Sequence, residues 1–261
     1  MAGSANVALS AEPTSFDLSA SDAPSWSDEF RGPAGNGPSR RKWSFDRGGG
    51  GWGNDELETY TASRRNSRLD GRGHLTIVAR RVGGERRFTS ARLKTRGKYS
   101  FRFGRVAIRA KLPAGRGLWP AFWMLGHDFP GVDWPFCGEI DVMEMLGQDP
   151  RRVHGYVHGP GSLAEEGVGG SKRVRRSLAR GYHVYSADWS AERITFSLDG
   201  FPYATVARAT YPPGQTWAFD RPMFLLLNLA VGGEWPGPPG RSTRFPARMK
   251  VDWVRVWETD A

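Results

Sequence analysis

The segment at 138–145 constrains the fold and the chemistry most, because it sets three carboxylates among apolar residues. In a β-strand successive side chains point to opposite faces, so Glu139 and Asp141 lie on one face and the residues between them on the other. Strict alternation would turn Glu144 into the core, where a carboxylate without a partner costs several kcal/mol. We therefore predict a β-bulge, one extra residue at Val142–Met143, that returns Glu144 to the acid face.

With this bulge the two glutamates lie about four strand residues apart, roughly 13 Å along the backbone at ~3.3 Å per residue. Side chains that lean towards each other bring the carboxyl groups to within about 5–6 Å, the separation that suits a retaining glycosidase. In that chemistry one carboxylate attacks and the other transfers a proton, and the intervening Asp141 shifts both pKa values through charge and hydrogen bonding. A solvated acidic strand face and a metal site remain as alternative interpretations of the triplet.

The rest of the chain fits one all-β domain. Its 261 residues include 34 Gly, 18 Pro and 11 Trp, which suits short strands with tight turns, and turn signals recur about every 8–12 residues. Residues 1–23, rich in Ala and Ser, are predicted to be a flexible lead-in, and 24–261 a single domain. Asp199-Gly200 is predicted to be the two-residue turn of a hairpin, and 160–172 a loop. Strands are predicted at 57–61, 74–80, 89–94, 99–111, 119–125, 138–145, 153–158, 182–189, 192–198, 202–207, 222–230 and 248–257.

Composition also argues against several other classes of protein. No run of about 18 apolar residues exists, so no membrane span is expected. No signal peptide is visible at the N-terminus. The single Cys137 excludes an internal disulfide and is predicted to be a small buried hydrophobe. The net charge of +10 suggests nucleic-acid binding. The arginines are dispersed in pairs without a nucleic-acid motif, however, so no specific nucleic-acid partner is expected.

Tryptophans cluster near the acids in sequence, and aromatic faces stack on the apolar faces of sugar rings. Trp119 and Trp123 precede the triplet, Trp134 stands five residues before Glu139, and Trp235 lies far downstream. Each of them could instead fill a sandwich core. Core and cleft are equally open for Trp123, whereas the polar, proline-flanked setting of Trp134 favours a cleft.

Together these segments resemble glycoside hydrolase family 16, and within it the bacterial laminarinases, which are endo-β-1,3-glucanases. The resemblance covers roughly 26–257, and it implies a jelly-roll sandwich of two antiparallel sheets with the substrate in a cleft on the concave sheet. The matching segments are WSDEF at 26–30, GWGNDELE at 51–58, SARL at 90–93, GLWPAFWMLG at 117–126, WP at 134–135, GEIDVMEMLG at 138–147, YHVY at 182–185 and VDWVRV at 251–256.

The resemblance also implies a role for each acid. Glu139 matches the nucleophile and Glu144 the general acid/base, with Asp141 hydrogen-bonded to the nucleophile between them. The six-residue acid motif with its bulge is the form found in laminarinases, whereas β-1,3-1,4-glucanases typically carry a five-residue form. The implied activity is the hydrolysis of internal β-1,3-glucosidic bonds of laminarin-like glucans by double displacement.

Further positions match substrate-binding residues of the family. Asn54 and Arg92 match positions that hydrogen-bond sugar hydroxyls, and their alternatives are a turn asparagine and a surface arginine. His158 matches a strand beside the acid/base residue, or is a structural histidine. Asn228 matches an inward-facing polar position, where a buried amide otherwise needs a structural partner. The tryptophans that match the cleft aromatics are Trp119, Trp134 and Trp235, with Trp123 as a further candidate.

Many family members carry a structural calcium on the convex face. The matching ligands are the backbone carbonyls of Glu29 and Gly73 and the carboxylate of Asp252, and oxygen ligands suit this ion. No cofactor is expected for catalysis. The expected protein is a secreted monomer that acts on a polysaccharide and binds no membrane. The alternatives are the same mechanism on mixed-linkage glucan, β-1,3-galactan, agar or carrageenan, and a glucan-binding sandwich without catalysis.

Overall fold

The computed structural model describes residues 23–83 and 87–259, so the predicted lead-in lies outside the described residues except for its last position. The described chain contains a single short 3-10 helix, Arg208–Thr210, and is otherwise built from strands and loops. No helix in these two ranges is long and apolar enough to cross a membrane. The strands are β1 Trp26–Asp28, β2 Ser44–Phe45, β3 Glu58–Tyr60, β4 Ser67–Leu69, β5 Leu75–Arg81, β6 Phe88–Ser90, β7 Arg92–Lys94, β8 Gly104–Lys111, β9 Leu118–Gly126, β10 Glu139–Glu144, β11 Arg152–His158, β12 Val168–Arg173, β13 His183–Trp189, β14 Arg193–Leu198, β15 Phe201–Ala207, β16 Met223–Val231 and β17 Ala247–Glu258.

The strands form two sheets. The cleft sheet has seven strands in the order β12-β11-β10-β9-β16-β7-β2. The outer sheet has ten strands in the order β15-β14-β13-β8-β17-β5-β6-β3, with β1 paired to β17 and β4 to β5. All pairings between strands are antiparallel except that of β3 with β6. The predicted all-β sandwich of two essentially antiparallel sheets is confirmed.

Most predicted strands are present, but several segments differ. The strand predicted at 89–94 is divided into β6 and β7, which belong to different sheets, and β1, β2 and β4 were not predicted. The hairpin at Asp199-Gly200 is confirmed: these residues have φ angles of 51° and 82° between β14 and β15. Residues 168–173 form the edge strand β12, so the predicted loop at 160–172 was wrong there. Two of its six residues are glycines, which hides its strand character because glycine has low strand propensity. The predicted strand at 99–111 begins only at Gly104.

The core lies between the two sheets, and strand alternation decides which residues enter it. In β16, Leu225, Leu227 and Leu229 join one large core cluster. Phe224 and Leu226 alternate with them and instead pack in a second cluster with Leu125 and Cys137 beneath Trp134. The strands of the cleft sheet therefore bury apolar residues on both sides. This arrangement holds the floor of the cleft rigidly, because packed interiors deform little.

Candidate active site

The predicted bulge in β10 is confirmed. Asp141 lies opposite Trp123 of β9 and Met143 lies opposite Phe122, so Val142 is the extra residue. Both Val142 and Met143 are fully buried in the core. Two consecutive side chains thus face the core, and Glu144 returns to the face that carries the other two acids.

The strand begins at a backbone position that only glycine tolerates. Gly138 has a φ angle of +74°, and a Cβ atom there would come within 2.5 Å of the carbonyl oxygen of Ala218. The preceding Cys137 is fully buried, and its burial raises the pKa of the thiol to about 11. The prediction that Cys137 is a buried hydrophobe is confirmed, since a thiol in this state is a poor nucleophile.

The three acids open into a cleft of about 850 Å³ on the face of the cleft sheet that points away from the core. The cleft brings together every substrate-binding residue predicted from the sequence. These residues are Asn54, Arg92, Trp119, Trp123, Trp134, His158, Asn228 and Trp235.

Glu144 is held by a tryptophan in a nearly closed position. Its side chain is 8% exposed, and Trp119 donates an indole hydrogen bond of 2.9 Å to its Oε1. The ring of Trp119 meets that of Trp235 edge to face at 5.6 Å. Burial, followed by the negative charge of Asp141, raises the pKa of Glu144 to about 8. A carboxyl group with this pKa is protonated at neutral pH and can act as a general acid.

His158 lies opposite Glu139 in β11, and the same strand lies beside Glu144, which is opposite His154. Its Nδ1 is 2.6 Å from the carbonyl oxygen of Ala164 and donates to it, and its Nε2 lies 3.2 Å from Asp141 Oδ2. Burial lowers the pKa of His158, but the contacts with Asp141 and the charge of Glu139 outweigh it and raise the pKa to about 10. His158 is therefore a fixed positive charge beside two carboxyl groups.

The positive charge of His158 influences the pKa values of the three carboxyl groups. Burial raises the pKa of Glu139 above its usual range, although the charge of His158 and hydrogen bonds from Asp141 and Trp134 act in the opposite direction. Burial and the charge of Glu139 raise the pKa of Asp141 to about 7. The charge of His158 favours the ionised form of Glu139, whereas Glu144, with a pKa of about 8, keeps its proton at neutral pH. Different surroundings for two carboxyl groups are what separate nucleophilic and acid/base roles require.

Arg92 forms part of the wall at one end of the cleft. Its guanidinium carbon lies 5.2 Å from the ring centre of Trp52 and 4.6 Å from that of Trp123, so it is stacked between the two. Asp46 anchors it through a contact of 3.0 Å to Nε. The surface-arginine alternative is thereby excluded, because this side chain is fixed by three partners and faces the cleft.

The side-chain amide of Asn228 forms hydrogen bonds with other residues of the protein. Its Oδ1 accepts a 2.7 Å hydrogen bond from the indole of Trp123, and its Nδ2 donates to the hydroxyl of Tyr60 at 3.1 Å. That hydroxyl in turn donates to Glu56 at 2.9 Å. Asn228 therefore has the structural partners that a buried amide needs, and it also lines the cleft, so its contact with substrate stays a prediction.

Asn54 is tied to the same network through a 3.3 Å hydrogen bond from its Nδ2 to Glu56 Oε1. Its side-chain oxygen has no such tie and can still accept from a sugar hydroxyl. Trp123 is partly exposed and lines the cleft, which answers the question between core and cleft left open by the sequence.

Sequence reasoning missed several residues that line the cleft. Trp52 was found only as part of a matching segment, although its position next to a run of glycines is a signal for an aromatic at a loop tip. Glu165 and Glu166 lie in the segment that was assigned to a loop, and nothing in their spacing ties them to the triplet. The missed lining residues with polar or aromatic side chains are Trp52, Glu56, Phe129, Tyr156, Glu165, Glu166 and Glu234.

The predicted calcium ligands lie on the opposite side of the molecule. The carbonyl oxygen of Glu29 is 3.9 Å from the point where a Cβ on Gly73 would stand, so these two backbone segments are neighbours. The carboxylate of Asp252 accepts a hydrogen bond from Arg109, and its other oxygen is 3.8 Å from Nε2 of His74. This arrangement does not fit a calcium ion, because the guanidinium group of Arg109 and the imidazole of His74 already face the only carboxylate of the set.

A sandwich with a long open cleft, two carboxyl groups in different surroundings and several aromatic side chains is typical of a glycosidase of the two-carboxylate class. The family model for glycosyl hydrolases family 16 matches residues 54–255. The chain therefore belongs to glycoside hydrolase family 16, and the predicted jelly roll is the fold of its structural neighbours.

Similar proteins of this family are known in sequence and in structure. A beta-glucanase of Rhodothermus marinus is 44% identical over 242 residues, which are 89% of this chain and 84% of the relative. The glucan endo-1,3-beta-glucosidase A1 of Niallia circulans is 36% identical over 260 residues, 89% of this chain and 37% of that protein. The X-ray structure of the laminarinase from Rhodothermus marinus superposes with a TM-score of 0.82 at 43% identity and covers 91% of this chain and 98% of that one.

Proposed function

We propose that this protein is a retaining endo-β-1,3-glucanase that cleaves laminarin-like glucans. The observation that carries the proposal is the bulge in β10, which sets Glu139 and Glu144 on the same face of the cleft. The different surroundings of the two carboxyl groups support different roles. The names of the relatives from Rhodothermus marinus and Niallia circulans support the choice of a β-glucan.

In the proposed first step Glu139 attacks the anomeric carbon, and Glu144 gives its proton to the glycosidic oxygen as the bond to it breaks. The sugar is then held covalently on Glu139. In the second step Glu144, now ionised, removes a proton from water, and the water oxygen displaces Glu139 from the anomeric carbon. The two inversions restore the original configuration. Family 16 enzymes need no cofactor for catalysis.

Asp141 and His158 set the charge on these two groups. A proton on Asp141 stabilises the ionised nucleophile through a hydrogen bond, and the imidazolium of His158 balances the remaining negative charge. Trp119 orients Glu144 through its indole bond, so the proton is held where the leaving oxygen would lie. Trp134 and Trp235 offer faces for sugar rings at either side of the acids.

The mechanism is tested by measuring reducing-sugar release from laminarin with wild type, Glu139→Gln and Glu144→Gln. Wild type is expected to be active and Glu139→Gln to be inactive, since an amide does not attack the anomeric carbon. Activity of Glu139→Gln near the wild-type level would refute the assigned nucleophile. The configuration of the first product, followed by NMR, separates retention from inversion.

The polymer is tested with the same assay on other substrates. Laminarin is expected to be cleaved fastest, and the comparison substrates are lichenan, agarose, carrageenan and a β-1,3-galactan. Faster hydrolysis of any of them would replace the proposed substrate while keeping the mechanism. Binding to laminarin without any release of reducing sugar would point to the non-catalytic alternative.

We further propose that the protein is secreted and acts as a monomer. A polymeric glucan does not cross a membrane, so an enzyme that cleaves it internally works outside the cell. Every residue assigned to the cleft comes from one chain, so catalysis needs no second copy. Light scattering that gives a dimer mass at working concentrations would contradict the second part of this proposal.

A further inference from the structure

The solvent face of the outer sheet carries a row of cationic side chains. Arg68 of β4 lies opposite Thr76 of β5, Thr76 opposite Lys250 of β17, and Lys250 opposite Lys111 of β8. Residues that stand directly opposite each other share a face of the sheet. The residues that alternate with them, such as Ile77, belong to the core, so this row faces away from the core and from the cleft.

Four side chains of this face converge on a cavity of about 250 Å³. They are Lys111, Tyr182, Arg248 and Lys250. The cavity is thus lined by two ammonium groups, one guanidinium group and a phenol, and all four can donate hydrogen bonds. Tyr182 is held in place because its ring stacks on that of His74 at 5.3 Å and lies 4.9 Å from the guanidinium carbon of Arg109.

The cavity contains no built-in counter-charge. Among the described residues no carboxylate forms an ion pair with Lys111, Arg248 or Lys250. The two nearby acids, Asp70 and Asp252, are paired with His74 and Arg109.

On its other side Arg248 faces further cations. Burial, and then the charges of Arg65, Arg68 and Arg248, lower the pKa of Arg80. Like charges placed directly opposite each other on a sheet are destabilising. A bound anion would reduce this repulsion between like charges, so the surrounding cations favour the binding of an anion.

We propose that this cavity binds a sulfate or phosphate group. Charged donors that converge from two neighbouring strands make short, strong hydrogen bonds to the oxygens of such a group. Lys111 and Lys250 approach from adjacent strands, and Arg248 lies on the same face of β17 as Lys250, two residues away. The site would explain the presence of some of the cations behind the net charge of +10, since the proposed chemistry in the cleft does not require that net charge. The group can be a free ion or can be carried on a sulfated sugar, and the experiment separates these two sources.

The binding test compares three proteins by calorimetric titration at constant ionic strength. They are wild type, the double variant Lys111→Gln/Lys250→Gln, and the matched control Arg175→Gln/Arg176→Gln, which removes two exposed cations elsewhere. The probes are sodium sulfate, sodium phosphate and a sulfated disaccharide, with sodium chloride and the unsulfated disaccharide as controls. We expect saturable binding of about one ion per chain to wild type and to the control variant, and at least tenfold weaker binding to the double variant.

Thermal melting provides a second measurement. Sulfate stabilises most proteins by exclusion from their surface, and this general effect is the same in all three proteins. If sulfate raises the melting temperature of wild type more than that of the double variant, the difference therefore measures binding at the proposed site. Without added anion the double variant should melt no lower than wild type, since it has lost a like-charge contact. Laminarin hydrolysis should be unchanged in both variants, because the cavity lies on the sheet opposite the cleft.

Binding of the free ions identifies a free-ion site, and binding of only the sulfated disaccharide identifies a group carried on a sugar. Both results support the proposal. The absence of saturable binding by any probe, or equal loss in the control variant, would overturn it. An equal response to chloride would overturn it as well, because it would reduce the site to general electrostatic attraction.

Discussion

In the part of the chain that the structure describes, two pairs of acids share the Glu-x-acid spacing, and they have opposite characters. Glu139 and Asp141 stand in β10 with a histidine ion beside them and an open cleft before them. Glu56 and Glu58 stand at the start of β3 with no cation in an ion pair with either of them in the described chain. Glu58 is 1% exposed and accepts a 2.6 Å hydrogen bond from the backbone of Val231.

Protonation is what distinguishes the two pairs. Burial, a hydrogen bond with Glu56 and the charge of Glu56 raise the pKa of Glu58 well above its usual range. The protonated form of Glu58 is therefore favoured, and Glu56 accepts a 2.9 Å hydrogen bond from the hydroxyl of Tyr60. Through Tyr60 this pair supports Asn228 and Trp123. The comparison teaches that the spacing of two acids alone does not identify a catalytic site, and that their surroundings have to be considered as well.

The largest expected effect is on activity and separates the two pairs directly. Glu144→Gln should lower kcat on laminarin by about 10²–10⁴-fold, the usual contribution of a general acid/base, and Glu139→Gln should lower it further. Glu56→Gln keeps the size of the side chain and one of its two acceptor oxygens, and it should lower kcat less than tenfold. Steady-state kinetics of the three variants checks this order. A Glu56→Gln variant as inactive as Glu144→Gln would abolish the distinction.

The second prediction concerns the pH profile. Glu144 is active as an acid only below its pKa of about 8, so activity should fall as the pH rises through that value. The positive charge of His158 lowers the pKa values of the carboxyl groups, so His158→Gln should shift the profile of kcat/KM to higher pH and reduce its maximum. His154→Gln is the control, because His154 is buried with a pKa of about 4 and is neutral at working pH. Equal shifts in both variants would contradict the role of His158.

The third prediction concerns stability at Glu58. Glu58→Leu leaves the N–H of Val231 and the carboxylate of Glu56 without their partner, which should cost about 1–3 kcal/mol in the free energy of unfolding. Glu58→Gln keeps a donor and an acceptor and should cost less than about 1 kcal/mol. Urea unfolding at neutral pH measures both values. A Glu58→Gln variant as unstable as Glu58→Leu would contradict the contribution of the hydrogen bond to Val231.

The same residue gives a prediction for pH and stability. The pKa of Glu58 is raised in the folded protein, so its contribution is fully present below the unfolded value near 4.5 and declines as the pH rises towards the folded pKa. Glu58→Gln removes this decline. Its free energy of unfolding should therefore fall less steeply than that of wild type as the pH rises above about 5. Parallel curves for the two proteins would contradict the raised pKa.

The smallest expected effect is that of a chelator. Arg109 and His74 already face the carboxylate of Asp252, so removing calcium should leave the melting temperature of the protein unchanged. A lower melting temperature in chelator that is restored by added calcium would support the ion that the family resemblance implies. The variant Asp252→Asn would then have to lose the response.

The sequence was sufficient for the features that follow from alternation. The bulge could be predicted because β10 without it would bury Glu144, and the hairpin because Asp-Gly supplies two positive φ angles. Side-chain partners were harder to predict. The sequence did not decide whether Asn228 binds substrate or forms structural hydrogen bonds, because its partners Trp123 and Tyr60 lie more than a hundred residues away in the chain. Glu56 and Glu58 were part of a matching segment, but nothing in the sequence indicated the raised pKa of Glu58, which depends on burial in the folded chain.

One pairing of the outer sheet bears on how such a domain can be combined with others. Trp26 of β1 lies directly opposite Val256 of β17, so the first and last strands of the described chain are hydrogen-bonded neighbours. Both belong to the sheet that faces away from the cleft. A short linker could join these strands while new ends are opened at the exposed Asp199-Gly200 turn, which is the geometry that circular permutation requires. For the same reason the domain can be inserted into a surface loop of a host protein with its cleft left open to a long polymer.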